Sequence, residues 1–548
     1  MTKEYNRKIK PCRSDYAFAA ASLISGMLFV ALVMFGSFNL GFTIANLFFL
    51  ASGSVYLRLN GKKAGILGWT LLILSIIGSI VFTLTANGST KFLLFFLLCL
   101  SESSCFRIFT AGEKHLGDLK LPFIAVYTVF VLVFDHIVEA VKLLFAGVTK
   151  DTGKYKKIFG GILLALPVLL VVVPLLINSD AAFEGLIKNL GGDVFIWILK
   201  IALGFAIAPF IYTYFFANRY FGENYKINKK LNPVADSLWG ISFLGAISLC
   251  YCLYLFSQLA YIFGGLSGIL PENYTMAEYA RRGFFEIAII SGINFVLIYG
   301  SSLICKSNKL FCALRIFVCV FTMFLIVTAE AKMVMYISRF GMTPLRILTS
   351  SFLLFLFVMG IVLVLKCFNA KVTVVRPALI TALVLTILVG GAGVGRIVAA
   401  YNTEAYISGK LKTIDVNTIG ECGDVSITQL IKLEKHLKGE ENFTTYNQVM
   451  DELIDKFYDS YAFKPSGKIV RKENIKIENY NLEVNSSEQD FDEFIEEDPE
   501  FVQKALWCKS AENLTSFYDN AVYLEYKNML DYGLADPIEP PEFATKRK

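Results

Sequence analysis

Ionisable side chains inside or beside long apolar runs are the residues of this 548-residue chain best placed to do chemistry. A charge at bilayer depth is costly, so where one is kept it tends to work. Three groups stand out. Glu278, Arg281, Arg282 and Glu286 lie in YTMAEYARRGFFEIAII, and Glu278, Arg282 and Glu286 follow an i, i+4, i+8 spacing that sets a charge ladder on one helix face. Glu330, Lys332, Arg339 and Arg346 lie across AEAKMVMYISRFGMTPLRIL. Asp135, His136 and Glu139 interrupt a third apolar stretch. The first two groups read either as interfacial anchors and ion pairs or as a polar outer vestibule that binds a ligand or the tail. Glu286 and Glu330 read as the deepest acids, the pair a proton-coupled role would use. The third group reads as an inner polar face.

Other chemistry finds less footing. The three histidines, His115, His136 and His436, are far apart, and no HExxH, paired CxxC or EF-hand pattern occurs, so neither a metal nor a cofactor is expected. GGAGVGR (390–396) lacks the lysine and serine of a phosphate loop and sits in an apolar run, which points to close helix packing by small residues. The acidic stretch DFDEFIEEDPE has no calcium-loop spacing and reads as a solvated face. No nucleophile–base constellation supports an enzyme. Cys422 and Cys508 form a candidate disulfide if the tail is exported.

The elements that would position these groups are membrane spans. Apolar residues make up 55% of the chain, with 48 Phe, more than a soluble fold of this length can hide. Runs long enough to cross a bilayer lie at about 16–36, 38–57, 64–86, 91–109, 158–177, 194–217, 237–263, 283–304, 311–330, 343–366 and 374–399. The expected fold is an all-α polytopic membrane helix bundle of eleven spans over residues 1–400, followed by an acidic soluble domain over 401–548. A twelfth stretch, 121–147, is read as an amphipathic or re-entrant helix, with a true crossing left open.

Residues 401–548 carry 17 Lys/Arg against 29 Asp/Glu, while residues 1–400 carry 35 against 17. A basic membrane half reflects cytoplasmic loops and not nucleic-acid binding. With 121–147 not crossing, the positive loops fall on one side, which places the N-terminus in the cytoplasm and the tail outside. In the tail, 426–438 and 446–460 have helical spacing, 468–484 alternates like a strand, and 513–534 returns to a helical pattern, so an α+β or mainly helical domain is expected.

MAEYARRGFFE, KMVMYISRFGMTPLRIL and NTEAYISGKLKTID together resemble the signature stretches of bacterial multi-pass proteins grouped as domain of unknown function 4173, with 4153 as its sister group. The resemblance covers most of the chain from about residue 120 and implies a bacterial cell-membrane protein; it implies no activity. Three functions stay open. The first is an outward-facing sensor or accessory protein whose tail engages a protein partner, with the lipid bilayer around its bundle. The second is a transporter or channel-like protein with an outer vestibule, and the third a membrane-embedded enzyme acting on a lipid or cell-wall intermediate.

Overall fold

The computed structural model describes residues 11–36, 38–112, 121–145, 172, 192–221, 234–266, 284–369, 371–438, 443–463, 469–471, 481–499, 501–502 and 505. Among them are ten helices long and apolar enough to cross a membrane, so the chain is a multi-pass integral membrane protein. The expected span at 158–177 lies outside the described residues, Val172 excepted.

Two bundles share the apolar helices. The first comprises α1 (Arg13–Phe29, continued by a π-helical turn, Val30–Met34), α2 (Leu40–Leu59), α3 (Ile66–Leu84), α4 (Gly88–Ala111), α5 (Leu121–Val129), α6 (Val131–Phe145) and α7 (Gly192–Phe221). The second comprises α8 (Ser237–Leu266), α9 (Phe284–Ile304), α10 (Lys309–Phe340) and α11 (Pro344–Phe368). Helix α12 (Val375–Ala392) touches both. Local signals set several ends. The Asn87 side chain accepts the Thr90 N–H at the start of α4. Thr343 does the same for Arg346 at the start of α11, with Pro344 in its first turn. Gly112, Gly341 and Gly393 follow helix ends at positive φ, where a side chain would be strained.

Small residues let backbones approach. A Cβ on Gly26 would stand 2.7 Å from the Gly204 carbonyl oxygen, so α1 and α7 meet almost backbone to backbone. Gly53 leaves the space that the Phe215 ring fills. Around that ring, Phe18, Phe49, Phe106 and Tyr214 form an aromatic core with centroid separations from 4.6 to 5.3 Å. In the second bundle Tyr251 stacks on Phe321 at 4.2 Å. Ile73, Ile77 and Ile80 on α3 and Leu249, Leu253 and Phe256 on α8 are exposed, forming apolar stripes suited to lipid.

Cross-contacts define two ends of this assembly. At one, Asp15 of α1 meets Tyr56 of α2 and Arg219 of α7, and Gly68 of α3 faces Ile108 of α4. At the other, Thr43 of α2 bonds Thr83 of α3, and Thr90 of α4 lies beside Gly390 of α12. Helix α4 therefore finishes at the Asp15 end, whereas α7 begins at the opposite end and runs back. The contacts of Gly341 with Asn402 and of Thr85 with Asn481 belong to that opposite end.

Helix α12 stops at Ala392, short of the expected 399. Gly393 turns the chain into α13 (Val394–Ile407), which packs with the tail. Ala399 joins a core with Leu430, Leu433, Leu453, Phe457 and Phe491. That core is built from α13, α14 (Val416–Gly420), α15 (Ile427–Leu437), α16 (Phe443–Ser460) and α17 (Leu482–Glu497). The expected helices at 426–438 and 446–460 are α15 and α16. Of the expected strand at 468–484, Ile469–Arg471 pairs antiparallel with Tyr461–Phe463, residues 472–480 lie outside the described residues, and Leu482 already begins α17. The acidic stretch from Asp490 falls on α17, which buries Phe491 and Phe494 and leaves Glu493, Glu496 and Glu497 exposed. The expected helix at 513–534 is outside the described residues.

Candidate functional site

The sequence-derived candidates scatter. Glu278, Arg281 and Arg282 lie outside the described residues, and Glu286 is exposed in the first turn of α9. Glu330 is half-buried on α10, and its Oε2 is buried with no hydrogen-bond partner among the described residues. Lys332 is half-buried and Arg339 exposed. Arg346 donates to the Phe340 and Gly341 carbonyls and lies over the Tyr336 ring at 4.3 Å, so it closes the α10–α11 turn. Asp135 and Glu139 are exposed; His136 bonds Glu139 at 2.8 Å and stacks on Phe221 of α7, with ring centroids 3.8 Å apart. The Cys422 thiol donates to the Thr418 carbonyl, and Cys508 is outside the described residues.

Two polar constellations that the sequence reading did not single out lie inside the first bundle. The deeper one centres on Glu102, 8% exposed on α4. It stands about 4 Å from the midpoint of its helix, against about 8 Å for Glu330, at ~1.5 Å per residue. Among the described acids on the spanning helices, Glu102 therefore lies nearest the middle of its helix. Asn46 of α2 donates from its amide to Glu102 Oε1 and to Ser79 Oγ of α3, each at 2.7 Å. Ser79 donates in turn to the Ser75 carbonyl, and Ser75 and Ser101 hydroxyls bond at 3.0 Å. Toward the opposite end, Thr43 donates to the Ser79 carbonyl at 2.6 Å and bonds the Thr83 hydroxyl. Hydroxyls and one amide thus lead from the loop end at Thr83 to the carboxylate.

Beside Glu102 lies a cavity of about 270 Å³ between α1, α2, α4 and α7. Glu102, Asn46 and Ser25 are its oxygen-bearing side chains, and Phe29, Phe42, Phe49 and Phe95 give its aromatic wall; among the described residues no Lys or Arg lines it. Such a pocket, mostly apolar with a few convergent polar groups, is the ordinary form of a small-ligand site.

The second constellation closes the Asp15 end. Asp15, fully buried, accepts from Arg219 at 2.5 Å, from the Tyr56 hydroxyl at 2.7 Å, from the Tyr220 hydroxyl at 3.2 Å and from the Cys12 backbone N–H at 2.9 Å. The Arg219 guanidinium also sits 4.5 Å from the Tyr220 ring centroid. Every lone pair of this carboxylate has a donor, the mark of a structural pin. Glu102 differs: among the described residues Asn46 is its donor.

At the opposite end the tail grips the bundle. Met342 N–H donates to Asn402 Oδ1 at 2.6 Å, Asn402 Nδ2 returns a bond to the Met342 carbonyl at 2.8 Å, and Asn481 donates to the Thr85 carbonyl at 2.7 Å. Two of the stretches that carry the resemblance, around Met342 and Asn402, therefore bind each other.

A family model described as Domain of unknown function (DUF4153) matches residues 71–433, more than half of the chain. The chain belongs to the DUF4153 family. This is the sister group of the pair named from the signature stretches, and its match begins earlier than residue 120. The DUF4153 segment includes Ser79, Glu102, Arg219 and Asn402, while Asp15, Asn46 and Tyr56 precede it. No curated protein and no solved structure matches the chain.

Proposed function

We propose that this protein is a transport-type membrane protein that binds a monovalent cation or a proton at Glu102. The observation that carries the reading is a mid-bundle carboxylate whose donor among the described residues is the Asn46 amide, beside a cavity with no basic side chain among its described lining residues. A carboxylate in a low-dielectric interior needs a counter-charge, and a mobile cation is the one such a cavity admits. The hydroxyl and amide groups between Thr83 and Glu102 supply polar stepping points from one end, while the Asp15–Arg219 pin and the aromatic core around Phe215 close the other.

The positive loops place the Asp15 end and the N-terminus in the cytoplasm and the tail outside. Two features support that assignment: the tail's grips on Thr85 and Met342, and the opposite ends at which α4 stops and α7 starts. In this arrangement the tail seats over the open end of the hydroxyl path and is the surface available to an extracellular protein partner, while the apolar stripes face the lipid bilayer. The outer residues Glu286, Glu330, Lys332, Arg339 and Arg346 lie on the second bundle, away from the Glu102 cavity.

Reconstituted full-length protein on a solid-supported membrane tests the reading. Concentration jumps across a panel of protons, alkali ions and small ammonium ions should give charge movements that Glu102→Gln loses and Glu286→Gln keeps. Silence of the wild type across the whole panel, or unchanged currents in Glu102→Gln, would overturn it. An extracytoplasmic activity reporter fused after Lys548 should be active, and a reporter active only in the cytoplasm would reverse the orientation.

A further inference from the structure

The walls of the Glu102 cavity say more about its occupant than the carboxylate alone does. An inorganic cation needs several oxygen ligands to replace its water. The cavity offers oxygen from Glu102, Asn46 and Ser25, and apart from Cys99 the rest of its described wall is hydrocarbon, with phenyl rings from Phe29, Phe42, Phe49 and Phe95. A surface of this kind leaves a bare metal ion poorly coordinated. It suits a cation that brings its own apolar body: the rings attract positive charge through their faces and bury hydrocarbon at the same time. Size agrees. A dry cavity of about 150 Å³ accepts benzene, and this one, at about 270 Å³, has room for roughly twice that bulk.

Position agrees as well. Glu102 sits at one side of the cavity, fixed by Asn46, which is itself held by Ser79. The carboxylate is therefore oriented in advance, with its second oxygen left for a ligand. No lysine or arginine among the lining residues competes for it.

We propose that this cavity binds a small organic monocation, an amine or quaternary ammonium ion with an apolar body of about a dozen heavy atoms. The proposal rests on the transport reading and narrows its cation to one chemical class. The charged head lies against Glu102, and the apolar body lies among the four phenylalanines.

Equilibrium binding of benzyltrimethylammonium to the purified full-length protein in nanodiscs tests it, with the uncharged isostere neopentylbenzene and the anion benzenesulfonate as comparison ligands. Saturable binding of the cation is expected, with neopentylbenzene at least about tenfold weaker and benzenesulfonate not bound, because the carboxylate discriminates by charge. Glu102→Gln should weaken the cation by about tenfold or more and leave the isostere unchanged, and Ala45→Leu, which fills the cavity while keeping Glu102, should weaken both. Equal binding of the cation and the isostere by the wild type would overturn the proposal without recourse to any variant, as would cation binding that survives both substitutions. The two readings fail separately. Binding without charge movement on the solid-supported membrane removes transport and keeps the site; charge movement with protons or alkali ions alone, and no benzyltrimethylammonium binding, removes this ligand class and keeps transport.

Discussion

The two helical bundles are both built from long apolar helices, yet the polar groups they bury differ in kind. The first bundle buries two carboxylates, Asp15 and Glu102, with an arginine on one and a cavity beside the other. The second bundle buries Arg315 near the start of α10 and one oxygen of the half-buried Glu330, and its described interior also holds a neutral trio, in which the Tyr251 hydroxyl donates to Asn294 at 2.6 Å and Asn294 donates to Thr322 at 2.9 Å. Neutral hydrogen bonds between membrane helices contribute about 0.6 kcal/mol on average, which suits a scaffold. Buried charges cost several kcal/mol to desolvate, so a bundle that keeps them is either pinned by them or uses them. Asp15, surrounded by donors, is the pin; Glu102 is the group left to work.

The contrast yields a graded set of stability changes, each read as full-length protein unfolding in detergent. The largest is Arg219→Ala, which strips the guanidinium from a fully buried carboxylate and should cost about 3 kcal/mol; a loss below about 1 kcal/mol would mean the pair is not a pin. Next is Gly26→Val, which drives side-chain atoms into the Gly204 carbonyl and should cost about 2 kcal/mol by overpacking. Gly292→Ala, where nothing lies within 4 Å of the new Cβ, should be near neutral. Equal effects at the two glycines would mean that the α1–α7 approach at Gly26 is no closer than the open position at Gly292. Asn294→Ala should cost about 1 kcal/mol, and a cost matching Arg219→Ala would make the second bundle's trio a pin too.

The smallest effect belongs to the tail. Burial against Gly420 raises the Glu452 carboxyl above the ordinary carboxylate range, with Asp451, Asp455 and Glu421 adding to the rise and Lys456 opposing it. A folded-state value above the unfolded one means that this group's contribution is greatest at low pH and declines as pH rises through that window. Glu452→Gln should therefore stabilise the protein at pH 7 by about 0.5 kcal/mol, the screening of a partly exposed group keeping the gain small. The advantage should vanish at pH 4; a gain that grows on acidification would give the opposite sign.

Much of the scaffold was legible in the sequence because hydrophobic length is a local property. Ten of the eleven expected runs coincide with described helices, and the helices at 427–437 and 443–460 follow from their apolar spacing. The small-residue stretch GGAGVGR packs closely, as expected: a Cβ on Gly390 would stand 2.7 Å from Val81 Cγ1, and Gly395 faces Val425. What periodicity cannot see is which helices meet. Asp15 and Arg219 are 204 positions apart at the edges of two unrelated runs, so their pairing is a tertiary fact. Glu102 was discoverable. An acid among serines in SESSC, near the middle of a run, is a polar patch that only a packed neighbour can satisfy. The charge clusters at run ends, around 278–286 and 330–346, are the stronger local signal. Arg346 shows why ends mislead: an arginine at a helix junction has backbone carbonyls to satisfy, and it does so at Phe340 and Gly341.

Aqueous access to the two interiors tests the central claim most directly. In full-length chains with the native cysteines replaced, Ser25→Cys faces the Glu102 cavity, and Ser291→Cys is buried in the second bundle, where the native hydroxyl donates to the Ile287 carbonyl at 2.7 Å. A membrane-impermeant thiol reagent applied to reconstituted protein should modify the cysteine at position 25 from the tail side and spare the one at position 291. Protection at both positions, or modification at 291 alone, would contradict a working site in the first bundle.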